Sequence, residues 1–288
     1  MACLVLFGLL RPLPLDMAAA IGGWLLRTVG PHTALSRRAA ANLRRVFPDI
    51  DDVRLARIVA GMWDNIGRVG VEYAHLAKLR RQPHRVQVTG GHILDDLRRA
   101  GRPVLLFGGH LANWEAILMA AQRHGLDPCM AYRPFNNPGI EWLARWMQRA
   151  NGAEYVGVRV RSSGMRRIAQ ILEGGGQTVL LVDQRMNRGR PIPFFGRPAM
   201  TSTALARLAR RFDAAAVPMR VERLDGTAFR VTVEPPLSVP PGDDRRADEA
   251  ALMAAANRRL EAWIRARPEQ WMWLHRRWPK EATPESGT

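Results

Sequence analysis

Short runs that are apolar from end to end set the tightest limit on this fold: VLLF at 104–107, CMAY at 129–132 and VLLV at 179–182. Each is too short for a buried helix and lacks the alternation of a strand with one wet face. Such runs read as strands covered on both sides, and the segments between them carry helical spacing. The alternation predicts an α/β protein, a central sheet flanked by helices on both faces.

The remaining elements follow from the same reading. Residues 33–80 read as helical, with apolar positions at Leu55, Ile58, Val59, Met62, Trp63 and Ile66. A strand is expected at 86–89, then a helix to about Ala100, a strand at 102–108 and a helix over 113–125 closed by Gly125. Next come a strand at 127–133, helices over 139–152 and 163–176, and a strand at 177–183. A helix over 201–212, capped by Thr201 or Ser202, precedes two antiparallel strands, 215–224 and 228–237, which make the sheet mixed. The stretch 238–244, SVPPGDD, is a turn, and a helix over 247–266 leads into a tryptophan-rich end. There is no internal repeat and no long linker. The expected organisation is an N-terminal segment of residues 1–30, a main domain of residues 31–280 and a disordered tail of residues 281–288.

The N-terminal segment is mostly apolar, but Arg11, Pro12, Pro14 and Asp16 divide it, so neither half reaches the roughly 20 apolar residues of a membrane span. It has no basic start and no clean small-residue cleavage site, unlike a secretory signal. Asp16 can cap a helix from about Met17 to Val29, with Trp24 and Arg27 suited to a membrane interface. Two readings stand: an ordinary buried helix with a leader, or a membrane-associating helix beside the arginines of 35–47.

Charge names a class of partner. The chain has 43 basic and 26 acidic residues, a formal net charge of +17, and lysine occurs only at 78 and 280. Such a surface attracts nucleic acid, anionic headgroups or an acidic protein. No zinc finger or RNA-recognition block is present, and the arginines are spread along the chain, so nucleic acid is not the expected partner. Cys3 and Cys129 make neither a disulfide framework nor a metal cluster, which fits a reducing compartment.

The chemistry is expected where LLFGGHLANWEAIL, residues 105–118, leaves its strand. His110 and Glu115 would stand about 140° apart on one helix. They can meet if Gly108 and Gly109 turn sharply, His110 lies in the loop and Glu115 is in the helix's first turn, with Asn113 as its N-cap. That corner is the carboxyl end of a strand, where open α/β sheets bind ligands. A histidine there can take a proton from a hydroxyl while a carboxylate orients it. The plainer reading is that Glu115 complements the helix dipole and His110 is a polar loop residue.

GGHLANWE resembles the H-x4-E block of the bacterial lipid A biosynthesis acyltransferases, relatives of the H-x4-D glycerolipid acyltransferases. The likeness extends in order to RRAAANLRRVFPD (37–49), MWDNIGRVGVEYAHL (62–76), VLLVDQRMNRGRPIPFFGRPAMTSTALARLARR (179–211) and RPEQWMWLHRRW (267–278). The acid is Glu115 where the glycerol-phosphate branch has Asp, and PFFGRPAMT stands where that branch has its glycine-rich block, which favours the lipid A branch. A sister group that acylates mannosylated phosphatidylinositol shares the histidine and the general plan.

The resemblance implies a glycerolipid acyltransferase-like sheet and transfer of a fatty acyl chain from acyl-acyl carrier protein to a hydroxyl of a lipid A precursor. His110 would be the general base and Glu115 the residue that orients it. The location implied is the cytoplasmic face of the bacterial inner membrane, where an acidic carrier protein would be steered by the basic surface. No cofactor, no metal and no serine or cysteine nucleophile is required, and no G-x-S-x-G elbow is present. The oxyanion would be held by backbone N–H groups near Gly108 and Gly109, or by an arginine.

Further candidates stand at strand ends. Arg133 follows one strand, and Asp183 and Arg185 follow another. Arg197 lies in FFGRP before a helix whose N-terminus favours phosphate. Arg133 and Arg197 are candidates for phosphate or thioester contacts, each with a solvated surface arginine as the alternative. Asp183 can hold Arg133 or Arg185, orient the surroundings of the histidine, or make a salt bridge with no catalytic part. Trp63, Trp142 and Trp146 are expected in the core. Trp271, Trp273 and Trp278 either pack the sheet edge or lie at a membrane interface. His275 is read as packing, Cys129 as a small buried hydrophobe, and Phe194 and Phe195 as an acyl-pocket lining or a loop anchor.

Overall fold

The computed structural model describes residues 12–149, 152–158, 163–238 and 244–278. The leader before residue 12, most of the 238–244 turn and the tail from residue 279 lie outside the described residues, as does Cys3.

Four helices come first: α1 (Leu15–Val29), α2 (Ala34–Val46), α3 (Asp52–Ala74) and α4 (Leu76–Arg80). The long helical stretch expected over 33–80 is thus broken twice, the first break ending at Asp51, whose side chain accepts the Arg54 N–H as an N-cap, and the second falling at His75. The elements β1 (Val86–Thr89), α5 (Gly91–Ala100), β2 (Val104–Gly108), α6 (Ala116–Arg123), β3 (Cys129–Tyr132) and α7 (Pro138–Arg149) follow. Then come β4 (Tyr155–Gly157), α8 (Ser163–Glu173), β5 (Gln177–Leu181), β6 (Arg185–Phe194) and β7 (Arg197–Thr201). The chain continues through α9 (Ala204–Phe212), β8 (Ala215–Arg223), β9 (Phe229–Val233) and α10 (Arg245–Ala266).

Seven strands form one sheet in the order β1-β9-β8-β2-β5-β3-β4. All neighbours run parallel except β8 and β9, which are antiparallel, so the sheet is mixed. β2 is buried along its whole length between β5 and β8. Its side chains alternate between two cores: Leu105 and Phe107 join the cluster with α10 and the C-terminal tryptophans, Val104 and Leu106 the cluster with α6 and β9. This is why VLLF reads as apolar throughout.

Several expectations change. β6 and β7 form a separate antiparallel hairpin, turned through Phe195 and Gly196 at positive φ of 51° and 70°. Prolines at 191, 193 and 198 hid it, because they suggest a loop. Trp63 is buried as expected, but Trp142 and Trp146 are 60% and 40% exposed, since α7 buries Ala144, Met147 and Gln148 instead. Trp271, Trp273 and Trp278 are buried, and Phe194 stacks on Trp278 with ring centroids 5.7 Å apart. Phe194 and Phe195 are therefore anchors of the hairpin.

Asp16 is not the cap of α1, because the helix starts at Leu15 after Pro14. Its carboxylate pairs with Arg85 at 2.7 Å and accepts from the Thr227 N–H and hydroxyl at 3.0 and 2.6 Å, tying α1 to the far edge of the sheet. α1 lies against α3 at Gly22 and Gly67, where a β-carbon on Gly67 would come within 2.1 Å of the Gly22 carbonyl oxygen. Its outer side leaves Met17, Ile21 and Trp24 exposed. Among the described residues no helix is long and apolar enough to cross a membrane.

Candidate active site

Two neighbouring parallel strands build the centre. β2 and β5 pair in register, with Gly108 opposite Leu181, and the Val182 N–H continues the ladder to the Gly108 carbonyl at 3.0 Å. Two residues past each strand end stand His110 and Asp183, face to face. His110 Nδ1 is 2.8 Å from Asp183 Oδ1, and the His110 backbone N–H donates to Asp183 Oδ2 at 2.8 Å. The Trp271 indole N–H donates to the same Oδ2 at 2.7 Å.

The paired glycines make this approach possible. A β-carbon on Gly109 would meet Asp183 Cγ at 3.3 Å and Leu260 Cδ2 at 2.8 Å, and one on Gly108 would meet the Met219 carbonyl at 3.0 Å. Larger residues would push the two strand ends apart.

Asp183 is fully buried, while the His110 side chain is 15% exposed. Burial alone would raise the Asp183 pKa, but the positive charge of His110 and the bonds from three N–H groups outweigh it and hold the carboxyl well below its usual range. The carboxylate is thus a permanent anion at Nδ1. This fixes the proton on Nδ1 in the neutral imidazole and leaves Nε2 as the basic nitrogen.

Nε2 faces Gln184. The Gln184 amide nitrogen lies 3.0 Å from His110 Nε2 and 3.0 Å from His275 Nε2, so its two N–H groups can donate to both rings. Burial, then the charge of His110, pushes the His275 pKa down, which keeps it a neutral acceptor. His275 thus belongs to the polar centre.

Glu115 is elsewhere, which corrects the expected pairing. Its fully buried carboxylate accepts from the Tyr73 hydroxyl at 2.6 Å and from the Tyr155 hydroxyl. Burial, then the charge of Glu115, raises the Tyr73 pKa well above that of a free phenol, so Tyr73 is a fixed donor. Tyr73 in turn accepts the Trp114 indole N–H at 2.9 Å, and the Trp114 ring packs edge-on to His110 at 4.9 Å between centroids. Tyr73 and Trp114 link Glu115 to the imidazole. The helix start explains this. Residues 114–115 form a turn before α6, and the Glu115 carboxylate is held by Tyr73 and Tyr155.

Asn113 is not the N-cap: α6 starts at Ala116 with Glu115 at the cap position, two residues after Asn113. Its side-chain oxygen accepts the Glu115 N–H at 3.1 Å, and its amide donates to Glu72 at 2.9 Å. Glu72 belongs to a buried network that sequence reasoning missed. Arg223 holds both Glu72 oxygens, one at 3.0 Å, and donates to Asn65 at 3.0 Å. Asn65 and Gln270 then fix the chain at Ala112, whose N–H donates to the Gln270 carbonyl at 2.9 Å and whose φ is +47°.

Part of the loop near Gly108 and Gly109, expected to hold an oxyanion, is committed. The N–H groups of His110, Leu111 and Ala112 donate to Asp183, Gly109 and Gln270 at 2.8, 2.8 and 2.9 Å. Arg133 is exposed directly after β3, on the rim of carboxyl ends that carries His110. Arg185 is exposed at the start of β6, one residue beyond Gln184. Arg197 is not beside a helix N-terminus: it opens β7 at the hairpin turn opposite Phe194, and the whole of β7 separates it from α9. Asp183 holds neither Arg133 nor Arg185; its partners are His110 and Trp271.

Comparison with known proteins shows the family to which the chain belongs. The model of a family described as bacterial lipid A biosynthesis acyltransferase matches residues 1–280. The lipid A biosynthesis lauroyltransferase of Escherichia coli (strain K12) is 27% identical over 276 residues, covering 92% of this chain and 85% of the relative. The lipid A biosynthesis myristoyltransferase of the same organism is 27% identical over 247 residues, covering 83% and 73%. Its lipid A biosynthesis palmitoleoyltransferase is 30% identical over 203 residues, covering 67% and 62%.

Proposed function

Because the chain belongs to the bacterial lipid A biosynthesis acyltransferase family, we propose that it moves a fatty acyl chain from acyl-acyl carrier protein to a hydroxyl of a lipid A precursor, with His110 as general base. The observation that carries the reading is the 2.8 Å contact between His110 Nδ1 and the buried Asp183 carboxylate, which leaves Nε2 as the acceptor of a proton.

In this mechanism the acceptor hydroxyl takes the place of one Gln184 N–H at Nε2 while the other stays on His275. Nε2 removes the hydroxyl proton as the oxygen attacks the thioester carbonyl. The tetrahedral intermediate collapses, the C–S bond breaks, and the imidazolium returns the proton to the leaving thiolate. Asp183 stabilises the imidazolium between these two transfers. The oxyanion is met by the Gly109 N–H or by an arginine on the rim, for which Arg133 is the candidate. Glu115 acts as a positioning residue through Tyr73 and Trp114.

The membrane surface is part of the proposal. α1 exposes Met17, Ile21 and Trp24, and α7 with its preceding loop exposes Phe135, Ile140, Trp142 and Trp146. Together with the charge of +17, these apolar patches suit the interfacial region of an anionic bilayer on the cytoplasmic side.

The test is transfer of a radiolabelled acyl group from acyl-acyl carrier protein to a lipid A precursor in detergent. Wild-type activity that collapses in His110→Ala, with the fold intact, is the expected result. Activity that survives loss of His110 refutes the mechanism, and an inactive wild type refutes this donor and acceptor pair.

A further inference from the structure

The carboxamide of Gln184 stands between two imidazoles, with its nitrogen 3.0 Å from His110 Nε2 and 3.0 Å from His275 Nε2. The nitrogen end of the amide, not the oxygen, must face the rings. Asp183 holds the Nδ1 proton of His110, so Nε2 presents a lone pair and its neighbour has to donate. The second N–H of the same amide is then directed at His275 Nε2. That ring accepts only while it is neutral, with its proton on Nδ1, and its burial favours this form.

The clamp is fixed from outside. Gln184 lies between Asp183, which follows β5, and Arg185, which opens β6, so its backbone is tied on both sides. His275 lies on the C-terminal segment, where the Met272 N–H donates to the His110 carbonyl at 3.3 Å. From α2, the Asn42 amide donates to the Trp273 and His275 carbonyls at 2.8 Å each, and Arg38 donates to the Leu274 carbonyl at 3.3 Å. The His275 ring is thereby held 5.7 Å from the His110 ring, centroid to centroid. Gln184 fills the position on Nε2 that a proton-donating nucleophile needs.

That position matters because a base beside a thioester has two nucleophiles to choose from. If Nε2 were bare, it would take a proton from water as the water oxygen attacked the thioester carbonyl. The C–S bond would break and the proton would pass to the leaving thiolate, giving a free fatty acid and a thiol. With Gln184 in place, any nucleophile must first break one N–H bond to Nε2. A lipid acceptor meets that cost from contacts remote from its hydroxyl, whereas water has no such contacts. The amide keeps its other bond to His275 during the exchange, so it returns to Nε2 when the product leaves.

We propose that Gln184, positioned by His275, is a specificity-determining residue that admits a lipid hydroxyl to His110 and keeps water off it. The role rests on the acyl-transfer reading; the hydrogen-bonded clamp does not.

The clamp is tested first, without catalysis. Nitrogen-15 spectra of the substrate-free wild type are compared with those of Gln184→Ala. The Nε2 signals of both His110 and His275 should shift when their shared donor is removed. A shift at neither ring, or at one alone, overturns the inference whatever the protein catalyses.

Product partition then tests the role. Acyl-acyl carrier protein with a radiolabelled acyl group is incubated with a lipid A precursor, and free fatty acid and acylated lipid are counted in the same reaction. The ratio of free acid to acylated lipid should rise about tenfold in Gln184→Ala, the weight of one net hydrogen bond. His275→Phe should raise the ratio as well. His275→Gln, whose amide oxygen can accept the Gln184 N–H, should bring it back toward the wild-type value. A merely structural role would lower both products together and leave the ratio unmoved. An unchanged ratio in Gln184→Ala, or loss of both products together, overturns this inference and leaves the acyl-transfer reading of the wild type intact. A wild type that neither transfers nor releases the acyl group overturns that reading, and the role of Gln184 with it.

Discussion

Replacing Asp183 by asparagine tests the dyad at its most specific point. Three N–H groups converge on this carboxylate: His110 Nδ1 on one oxygen, and the His110 backbone and Trp271 indole on the other. A carboxamide offers one oxygen and one NH2. If the NH2 faces the second position, two buried donors lose their acceptor, at about 1–3 kcal/mol each. If it faces Nδ1, only one contact is lost, and the imidazole repairs it by moving its proton to Nε2. The second arrangement has the smaller penalty, and it removes the basic lone pair from Nε2.

The lost charge adds to this. At the observed 2.8 Å, an imidazolium and a carboxylate attract by about 6 kcal/mol at an effective dielectric of 20. Part of that attraction is already present as a hydrogen bond in the neutral state, so only the excess lowers the barrier. A barrier increase of about 4–5 kcal/mol corresponds to a fall of roughly 10³–10⁴ in rate. The expected outcome is that loss in kcat/KM for Asp183→Asn, with Tm lowered by only a few degrees. Nitrogen-15 chemical shifts of His110 should change from the Nδ1–H to the Nε2–H tautomer. A variant that keeps more than about a tenth of wild-type activity, or keeps the original tautomer, refutes the reasoning.

Two further outcomes follow from the neighbours of the dyad. Glu115→Gln keeps one acceptor for Tyr73 and lets the Tyr155 hydroxyl reverse, so activity should drop about tenfold, far less than in Asp183→Asn; equal losses in the two variants, measured side by side, would mean that Glu115 acts on the imidazole directly. His275 has a folded-state pKa below its unfolded value, so the unfolded chain binds more protons in that window. Its stabilising contribution is present above about pH 6.5 and is lost as pH falls toward the lowered value. His275→Gln should therefore lose less stability than the wild type as pH falls from about 7.5 to about 5, read as a smaller drop in Tm. Parallel melting curves across that range would contradict it.

Position along the chain marked His110 but left the role of Asp183 open between three alternatives. GG-H at the end of an all-apolar run marks a strand that stops at a ligand-binding edge, and His110 stands there. Glu115 is five residues away in sequence, and proximity made it the natural partner. Asp183 is 73 residues away. Its pairing depends on β2 and β5 being adjacent and in register, which a single sequence does not encode locally. A usable signal did exist: His110 and Asp183 each stand two residues beyond the last strand residue. Parallel neighbours with equal overhangs bring such residues together. The exposed tryptophans of α7 show a related limit. Helical spacing identifies a helix with an apolar stripe, but Trp142 and Trp146 fall on the side away from the buried Ala144 and Met147.

The buried network around Arg223 shows how a strained loop is kept in place. Ala112 holds a left-handed φ of +47° two residues after the base, and a non-glycine residue there carries roughly 1–3 kcal/mol of strain. The loop cannot relax, because Leu111 bridges to Trp271 and the Ala112 N–H and carbonyl are bound by Gln270 and Asn65. Those two residues are held in turn by Arg223, whose charge is neutralised by Glu72 from α3. The elements that fix His110 therefore come from the first third of the chain and from its last segment. His110 has this geometry only when both ends are docked on the sheet. Without that docking, Asp183 is an exposed carboxylate with an ordinary affinity for protons. The same docking that buries it and supplies its three N–H partners also orients the His110 imidazole, with Asp183 at Nδ1 and Gln184 at Nε2.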